Sequence, residues 1–205
     1  MKQVIQIRCK NNKKSQKVEI GSTLFDIFSA FDLKMTHGPV SARVNNKVEG
    51  MHYRVYNSKD VEFLDMTSSS GSRAYTRTLF FVLCKAVQDI YPATDVVIDI
   101  PVSNGFYVDI RLGRPVVDED VNIIRRRMQE IIDARMPIRR FTVPTEEAVA
   151  LFQEKGDVEK VKLLKTSGSI YTTYYKIGDY VDYYYGTLLT NTSQLYLFGL
   201  EKYYD

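Results

Sequence analysis

The sequence predicts an α+β chain in two domains, and three observations lead there. Short strand-like patterns alternate with single amphipathic helical patterns, rather than forming a long run of either kind. The stretch Thr67-Ser68-Ser69-Ser70-Gly71-Ser72 is small, polar and flexible, as a linker is. The apolar patterns on either side of it are each complete enough to bury a face of their own. The expected domains are residues 1–66 and 72–205. A chain of 205 residues with 44% hydrophobic and 26% charged residues is long and apolar enough for two small cores.

In the first domain, Lys2–Arg8 alternates as a strand with Ile5 and Ile7 on one face, Asn11-Asn12 marks a turn, and Lys17–Ile20 returns. Gly21-Ser22-Thr23 opens a helix, because a hydroxyl can satisfy the free amides of a first turn. Its apolar face is Leu24, Ile27, Phe28 and Phe31, at i, i+3, i+4 and i+7. After the breaker Gly38-Pro39, the segments Val40–Val44, Tyr53–Tyr56 and Val61–Leu64 are short strand candidates. A strand hairpin, one helix and further short strands is the order of a β-grasp, or ubiquitin-like, domain.

The second domain opens with a helix from about Ala74 to Tyr91, stopped by Pro92, with Leu79, Leu83, Ala86, Val87 and Ile90 inward. Val96–Ile100 and Phe106–Leu112 are strands joined at Asn104-Gly105, a pair that tolerates positive φ. Asp118 is placed to cap a second long helix to about Arg135, burying Val121, Ile124, Met128 and Ile131. Arg125-Arg126-Arg127 falls on the rest of that helix and reads as a solvated face. Pro144-Thr145 starts a short helix carrying Ala148, Val149 and Phe152, and Asp157 caps another. From Gly168 the chain is strand-like and holds ten of the fifteen tyrosines.

Composition excludes several functions. No apolar run is long enough to span a bilayer, and the alternating start is not a signal peptide, so no membrane partner is expected. Two cysteines, Cys9 and Cys84, cannot form a disulfide framework, and a reducing cytoplasm is the expected setting. No glycine is followed by lysine, which removes the phosphate-cradling P-loop, and no Gly-x-Gly-x2-Gly is present. His37 and His52, the only histidines, stand at no zinc-binding spacing and have no nucleophile elbow nearby. No pair of carboxylates stands out as a glycosidase-type acid and base.

Charge is uneven. Residues 1–65 hold 11 Lys/Arg against 7 Asp/Glu, net +4, while the remainder holds 17 against 18, net −1. The excess at Lys10, Lys13, Lys14 and Lys17 reads as a solvated loop in preference to a phosphate-binding surface, because no aromatic residues interleave it. Two other features stay open. Arg73, Tyr75 and Arg77 flank the start of the long helix, where an anion is favoured, though ordinary helix-start polarity explains them equally well. Tyr183-Tyr184-Tyr185 fits a half-buried strand better than an aromatic pocket.

The first 65 residues resemble a TGS domain, through Gly21-Ser22-Thr23-Leu24-Phe25-Asp26-Ile27 and Ala42-Arg43-Val44-Asn45. From about residue 71 the chain resembles the second N-terminal, editing domain of threonyl-tRNA synthetase. That likeness is carried by Ile90-Tyr91-Pro92, Pro101-Val102-Ser103-Asn104-Gly105-Phe106-Tyr107-Val108-Asp109, Glu119-Asp120-Val121, Arg127-Met128 and Tyr180-Val181-Asp182. In that family a His-x3-His and a Cys-x3-His hold the editing metal. The resemblance places those positions at Arg77, Phe81, Tyr184 and Leu188, with Gly186 as the retained glycine. None of the four is a good zinc ligand. The resemblance therefore implies a scaffold without the metal and without catalytic residues.

A closer likeness is to the N-terminal region of bacterial uridine kinase-related proteins, through Gly71-Ser72-Arg73-Ala74-Tyr75-Thr76-Arg77-Thr78-Leu79. It implies an N-terminal fragment, ending near the linker to a P-loop kinase domain. This chain would then be a non-catalytic regulatory or ligand-binding module, and its own C-terminal kinase domain would be its partner. The fragment would need no cofactor, and the missing domain would use Mg-ATP. The alternative is an editing hydrolase-like or tRNA-binding module, with tRNA the less favoured partner. Either way the vacated pocket, formed by Arg73, Tyr75, Arg77, Phe81, Tyr184 and Leu188, is the expected site. The favoured expectation is a retained shallow cleft for a small anionic or nucleotide-like ligand, since a charged Arg77 is costly to bury without a partner. The other outcome is infill by Phe81 and Leu188.

Overall fold

A computed structural model of the chain describes residues 3–103 and 105–203. It is a mixed α+β structure. The chain forms two compact units: one runs up to Met136 and resumes at Thr187, and the other is Pro137–Gly186. These units are drawn differently from the expected division at residues 67–72.

The first unit begins with a five-stranded sheet. Its strands are β1 (Val4–Cys9), β2 (Ser15–Glu19), β4 (Ser41–Val44), β5 (Lys47–Gly50) and β7 (Lys59–Leu64), in the order β2-β1-β7-β4-β5. β1 and β7 run parallel, and the other neighbours are antiparallel. The short strands β3 (Ser22–Thr23) and β6 (Arg54–Val55) pair beside it. Helix α1 (Leu24–Ala30) starts where expected: the Thr23 hydroxyl accepts from the Asp26 amide, and the Asp26 carboxylate accepts from the Thr23 amide at 2.8 Å. Those hydrogen bonds from Thr23 lower the Asp26 pKa. Leu24, Ile27 and Phe31 are buried with Ile7, Val61 and Phe63, and Phe28 packs on the same cluster.

Asn11 does more than turn the chain. Its side-chain amide exchanges two hydrogen bonds with the backbone of Phe63, at 2.8 and 2.9 Å, and so extends the ladder by one rung. β5 carries no pattern that separated it from its turn and was not expected.

The polar run at 67–72 is not a linker. Ser68 caps helix α2 (Ser69–Ile90), its hydroxyl accepting from the Gly71 amide at 3.1 Å. Gly71 is buried so tightly that a Cβ there would lie 1.9 Å from the Asp65 carbonyl oxygen. A run of small residues signals close packing as readily as flexibility, and here packing won. The buried face of α2 also differs from the expected stripe: Ala74, Tyr75, Thr78, Phe81, Val82 and Lys85 join Leu83, Ala86 and Val87, while Leu79 and Ile90 are only half-buried.

β8 (Asp95–Val102) and β9 (Gly105–Arg111) form the expected hairpin, with Val102 opposite Gly105. Asn104, half of the turn signal, lies outside the described residues. α3 (Asp118–Asp133) buries Val121, Ile124, Met128 and Ile131 as expected. Asp118 does not cap it, however. Asp120 instead accepts the Val117 amide at 2.9 Å, along with the Arg114 guanidinium at 2.6 and 2.7 Å and the Tyr91 hydroxyl at 2.6 Å. The Arg114 and Tyr91 hydrogen bonds hold the buried Asp120 carboxylate well below the usual carboxylate range.

The segment from Thr187 is no strand. It is an irregular strap with a 3₁₀ turn at Thr192–Gln194, and it plugs Leu188, Leu189 and Leu195 into the unit. Thr192 bonds the carbonyl of Ile131 and the backbone of Met136, and Gln194 reaches the Pro39 carbonyl at 3.3 Å.

The second unit is a three-stranded antiparallel sheet, β10 (Arg139–Pro144), β11 (Tyr171–Ile177) and β12 (Tyr180–Tyr183), with α4 (Thr145–Glu154) and α5 (Val158–Thr166). Ala148, Val149, Phe152, Leu164 and Val181 are its buried cluster. The helix expected to start at Pro144-Thr145 does so without a side-chain cap, and the Asp157 cap is present: its carboxylate accepts the Lys160 amide at 3.0 Å. No helix among the described residues is long and apolar enough to cross a membrane.

Candidate functional site

Five of the six expected site residues belong to the first unit, and four of these lie on α2. Arg73 is exposed and donates to the Ser70 hydroxyl at 3.2 Å. Arg77, one turn on, is half-buried and has no hydrogen-bond or ion-pair partner among the described residues. Phe81, a further turn on, is fully buried. Tyr75 lies on the side of the helix that meets the strap. Its hydroxyl donates to the Leu197 carbonyl at 2.8 Å and accepts the amides of Leu197 and Tyr196. Tyr75 is therefore a fastener of the strap rather than a ligand-facing group.

Leu188 is buried at the start of that strap, where the next amide, Leu189, donates to the Thr78 hydroxyl at 2.8 Å. Arg77, Phe81 and Leu188 are thus gathered around one stretch of α2. Tyr184 belongs to the second unit, where it follows β12 and is half-buried beside the exposed Tyr185. A buried Phe81 and a buried Leu188 are core side chains. The chemistry left to this part of α2 is a guanidinium that can receive an anion.

The second unit holds a polar cluster that the sequence reading passed over. Lys160 places its ammonium 2.8 Å from Asp157 and 2.8 Å from Asp182. The Asp182 carboxylate also accepts the Tyr180 hydroxyl at 2.8 Å and the Tyr183 amide at 2.6 Å. Burial by itself would lower the Lys160 pKa, but the Asp182 charge and the hydrogen bonds to Asp157 and Asp182 outweigh it, and the net shift is upward. Lys160 is therefore a held cation and not a base or nucleophile near neutral pH. The only sequence clue was the i, i+3 spacing of Asp157 and Lys160, which thousands of surface helices share.

Of the two histidines, His37 stacks on Tyr196 with ring centroids 5.6 Å apart, and the Tyr196 hydroxyl meets its Nδ1 at 2.8 Å. Burial lowers the His52 pKa. No group of three or more His, Cys, Asp or Glu side chains among the described residues is arranged to hold a metal ion.

No family model matches the chain. Comparison with curated proteins finds threonine–tRNA ligases. The Acetivibrio thermocellus enzyme is 29% identical over 181 residues, 88% of this chain and 28% of that protein. The Clostridium kluyveri enzyme is 30% identical over 193 residues, 93% of this chain and 30% of that protein. The Clostridioides difficile enzyme is 28% identical over 181 residues, again 88% and 28%. The chain spans less than a third of the length of these relatives, and over about nine-tenths of its own length it is threonyl-tRNA synthetase-like.

Proposed function

We propose that this chain is a tRNA-related module of the threonyl-tRNA synthetase editing kind, refitted from metal-dependent hydrolysis to binding. The observation that carries the reading is Arg77. It is a half-buried guanidinium without a carboxylate partner among the described residues, on the same stretch of α2 as Phe81 and close to Leu188, which are packed as core. Leaving a cation partly buried and unpaired is costly, and an incoming phosphate or carboxylate removes that cost. The likeness to threonine–tRNA ligases over most of the chain makes the acceptor arm of a tRNA the best-supported source of that anion. As its finer part the reading takes a β-grasp TGS domain at 1–66 and an editing-like domain from 72, the two meeting within α2 and not at a flexible linker. The five-stranded order with a parallel central pair and one packed helix agrees with that β-grasp reading. A uridine kinase parent rests on the residues 71–79 alone, so the tRNA reading is preferred.

The test is binding of tRNA to the full chain by fluorescence anisotropy, run beside a deacylation assay with mischarged tRNA. The expected result is salt-dependent binding without deacylation. Arg77→Ala should weaken binding about tenfold, the loss of one charge-assisted hydrogen bond. Absence of any tRNA binding, or binding indifferent to Arg77, overturns the proposal.

A further inference from the structure

The β8–β9 hairpin is a sheet of two strands only, so it has two outer edges. Among the described residues, neither edge shares a backbone hydrogen bond with another strand or segment. A two-stranded ribbon is marginal by itself, and an open edge is a template for a further strand. One face of this ribbon is settled: Ile110 is buried, and Phe106 meets Phe80 of α2 edge to face, with ring centroids 4.9 Å apart. The rest stays open. Val97, Ile100, Val102, Phe106 and Tyr107 are each more than a third exposed, a concentration of apolar surface that marks a contact region. Tyr203 touches the Tyr107 ring at 5.9 Å between centroids but gives β9 no backbone hydrogen bond.

The charges tell the two edges apart. The only charged residues of β8 are Asp95 and Asp99, and its Pro101 has no amide to donate, so a second β8 is repelled and poorly bonded. β9 has no proline and carries one charge of each sign, Asp109 and Arg111, two residues apart and so on one face. They are about half exposed and pair with each other at 3.0 Å. An antiparallel copy of β9, related by a two-fold axis at Ile110, sets each Asp109 opposite the partner's Arg111 and each Arg111 opposite the partner's Asp109. Moving the axis to Val108 sets Asp109 opposite Tyr107 and Arg111 opposite Gly105, and no ion pair forms between the strands. We propose that β9 is the interface between two copies of this chain, paired antiparallel about Ile110 into a four-stranded sheet β8-β9-β9-β8. The self-complementary charges select a second copy as the occupant and fix its register. This contact needs no RNA and stands whether or not Arg77 binds tRNA.

The experiment is sedimentation equilibrium of the full chain, up to ~1 mM, where even a weak contact shows. The expected result is a monomer–dimer equilibrium. Asp109→Arg or Arg111→Asp alone turns both inter-strand pairs into like-charge pairs and should weaken dimerisation about tenfold. The double swap Asp109→Arg/Arg111→Asp makes the pairs opposite again and should restore most of the affinity. Arg111 also faces Asp95 within the hairpin, so the melting temperature of each variant is measured alongside. Hydrogen exchange of the wild type is a second readout that needs no variant. Protection at residues 105–111 should rise with chain concentration, while that of β2 and β5, the edges of the five-stranded sheet, should not. A chain that stays monomeric to ~1 mM overturns the proposal. So does a dimer that ignores both single reversals, or one whose concentration-dependent protection falls outside the hairpin.

Discussion

The two units solve the same stability problem with very different means. The sheet in the first unit closes over a cluster of twelve buried side chains, from Ile7 to Phe63. Pro137–Gly186 has a smaller cluster of five around Phe152, with Ile138, Tyr175, Ile177 and Tyr180 buried besides. Fifty residues rarely bury enough apolar surface to hold a unique fold by that means alone. The smaller unit adds an ionic latch, Lys160 between Asp157 and Asp182, which ties α5 to β12. The larger unit has a latch too, Arg114 on Asp120, but it fastens one helix start in a structure already well packed. The lesson is that the same motif, a cation on a buried carboxylate, is an accessory in one unit and a main tie in the other.

The sharpest way to break that comparison is to remove the central ring of each core. Phe63→Ala and Phe152→Ala each delete a fully buried side chain, a loss of about 3–5 kcal/mol. Phe63→Ala should lower the urea midpoint of the first unit while leaving it folded. Phe152→Ala should leave the second unit unfolded at all urea concentrations, visible as loss of hydrogen-exchange protection confined to 137–186. Equal responses would mean that the two units do not differ as described.

A smaller effect is expected from the latch of the second unit. Lys160→Met keeps the aliphatic stem but strands Asp182, and a loss of about 2–3 kcal/mol follows from leaving a buried carboxylate without its cation. The Tyr180 and Tyr183 hydrogen bonds soften the penalty. A chemical denaturation series on this variant checks it; a change below about 0.5 kcal/mol, the surface-pair value, would make the latch ornamental.

The gentlest test uses pH, because the latches fail at opposite ends of the scale. Asp120 has a lowered folded pKa. Its contribution is complete above the ordinary carboxylate value of 3.8 and is lost as pH falls through the depressed folded value. Lys160 has a raised folded pKa. Its contribution is complete below the ordinary lysine value of 10.5 and is lost as pH rises through the raised one. Hydrogen exchange should therefore show the α3 start loosening below about pH 4, and residues 157–183 loosening only in strong alkali. Asp120→Asn should remove the acid sensitivity of the α3 start and leave the alkaline behaviour of the second unit unchanged.

Much of the architecture was written in local patterns. The faces of α1, α3 and α4, the Thr23 and Asp157 caps and the β8–β9 pairing all follow from periodicity and turn chemistry within a dozen residues. Those signals are local because a helix face or a cap needs only neighbours in the chain to define it. The likeness of most of the chain to threonine–tRNA ligases was legible in the same way, through short motifs such as Asn104-Gly105-Phe106-Tyr107.

What local pattern could not reach was decided by contacts between residues far apart in sequence. Ser69–Ser72 became helix and not linker because Gly71 fits against the Asp65 carbonyl. Tyr75 became a fastener because the strap brings Leu197 to it from 122 residues away. Asp182 gained its cation from α5, and of three consecutive arginines only Arg127 met a partner on α2. In each case composition specified the group's hydrogen-bonding capacity, and only packing specified which partner consumed it. Burial, partner and the remaining free charge at Arg77 are properties of three-dimensional neighbours, and those are what the functional reading rests on.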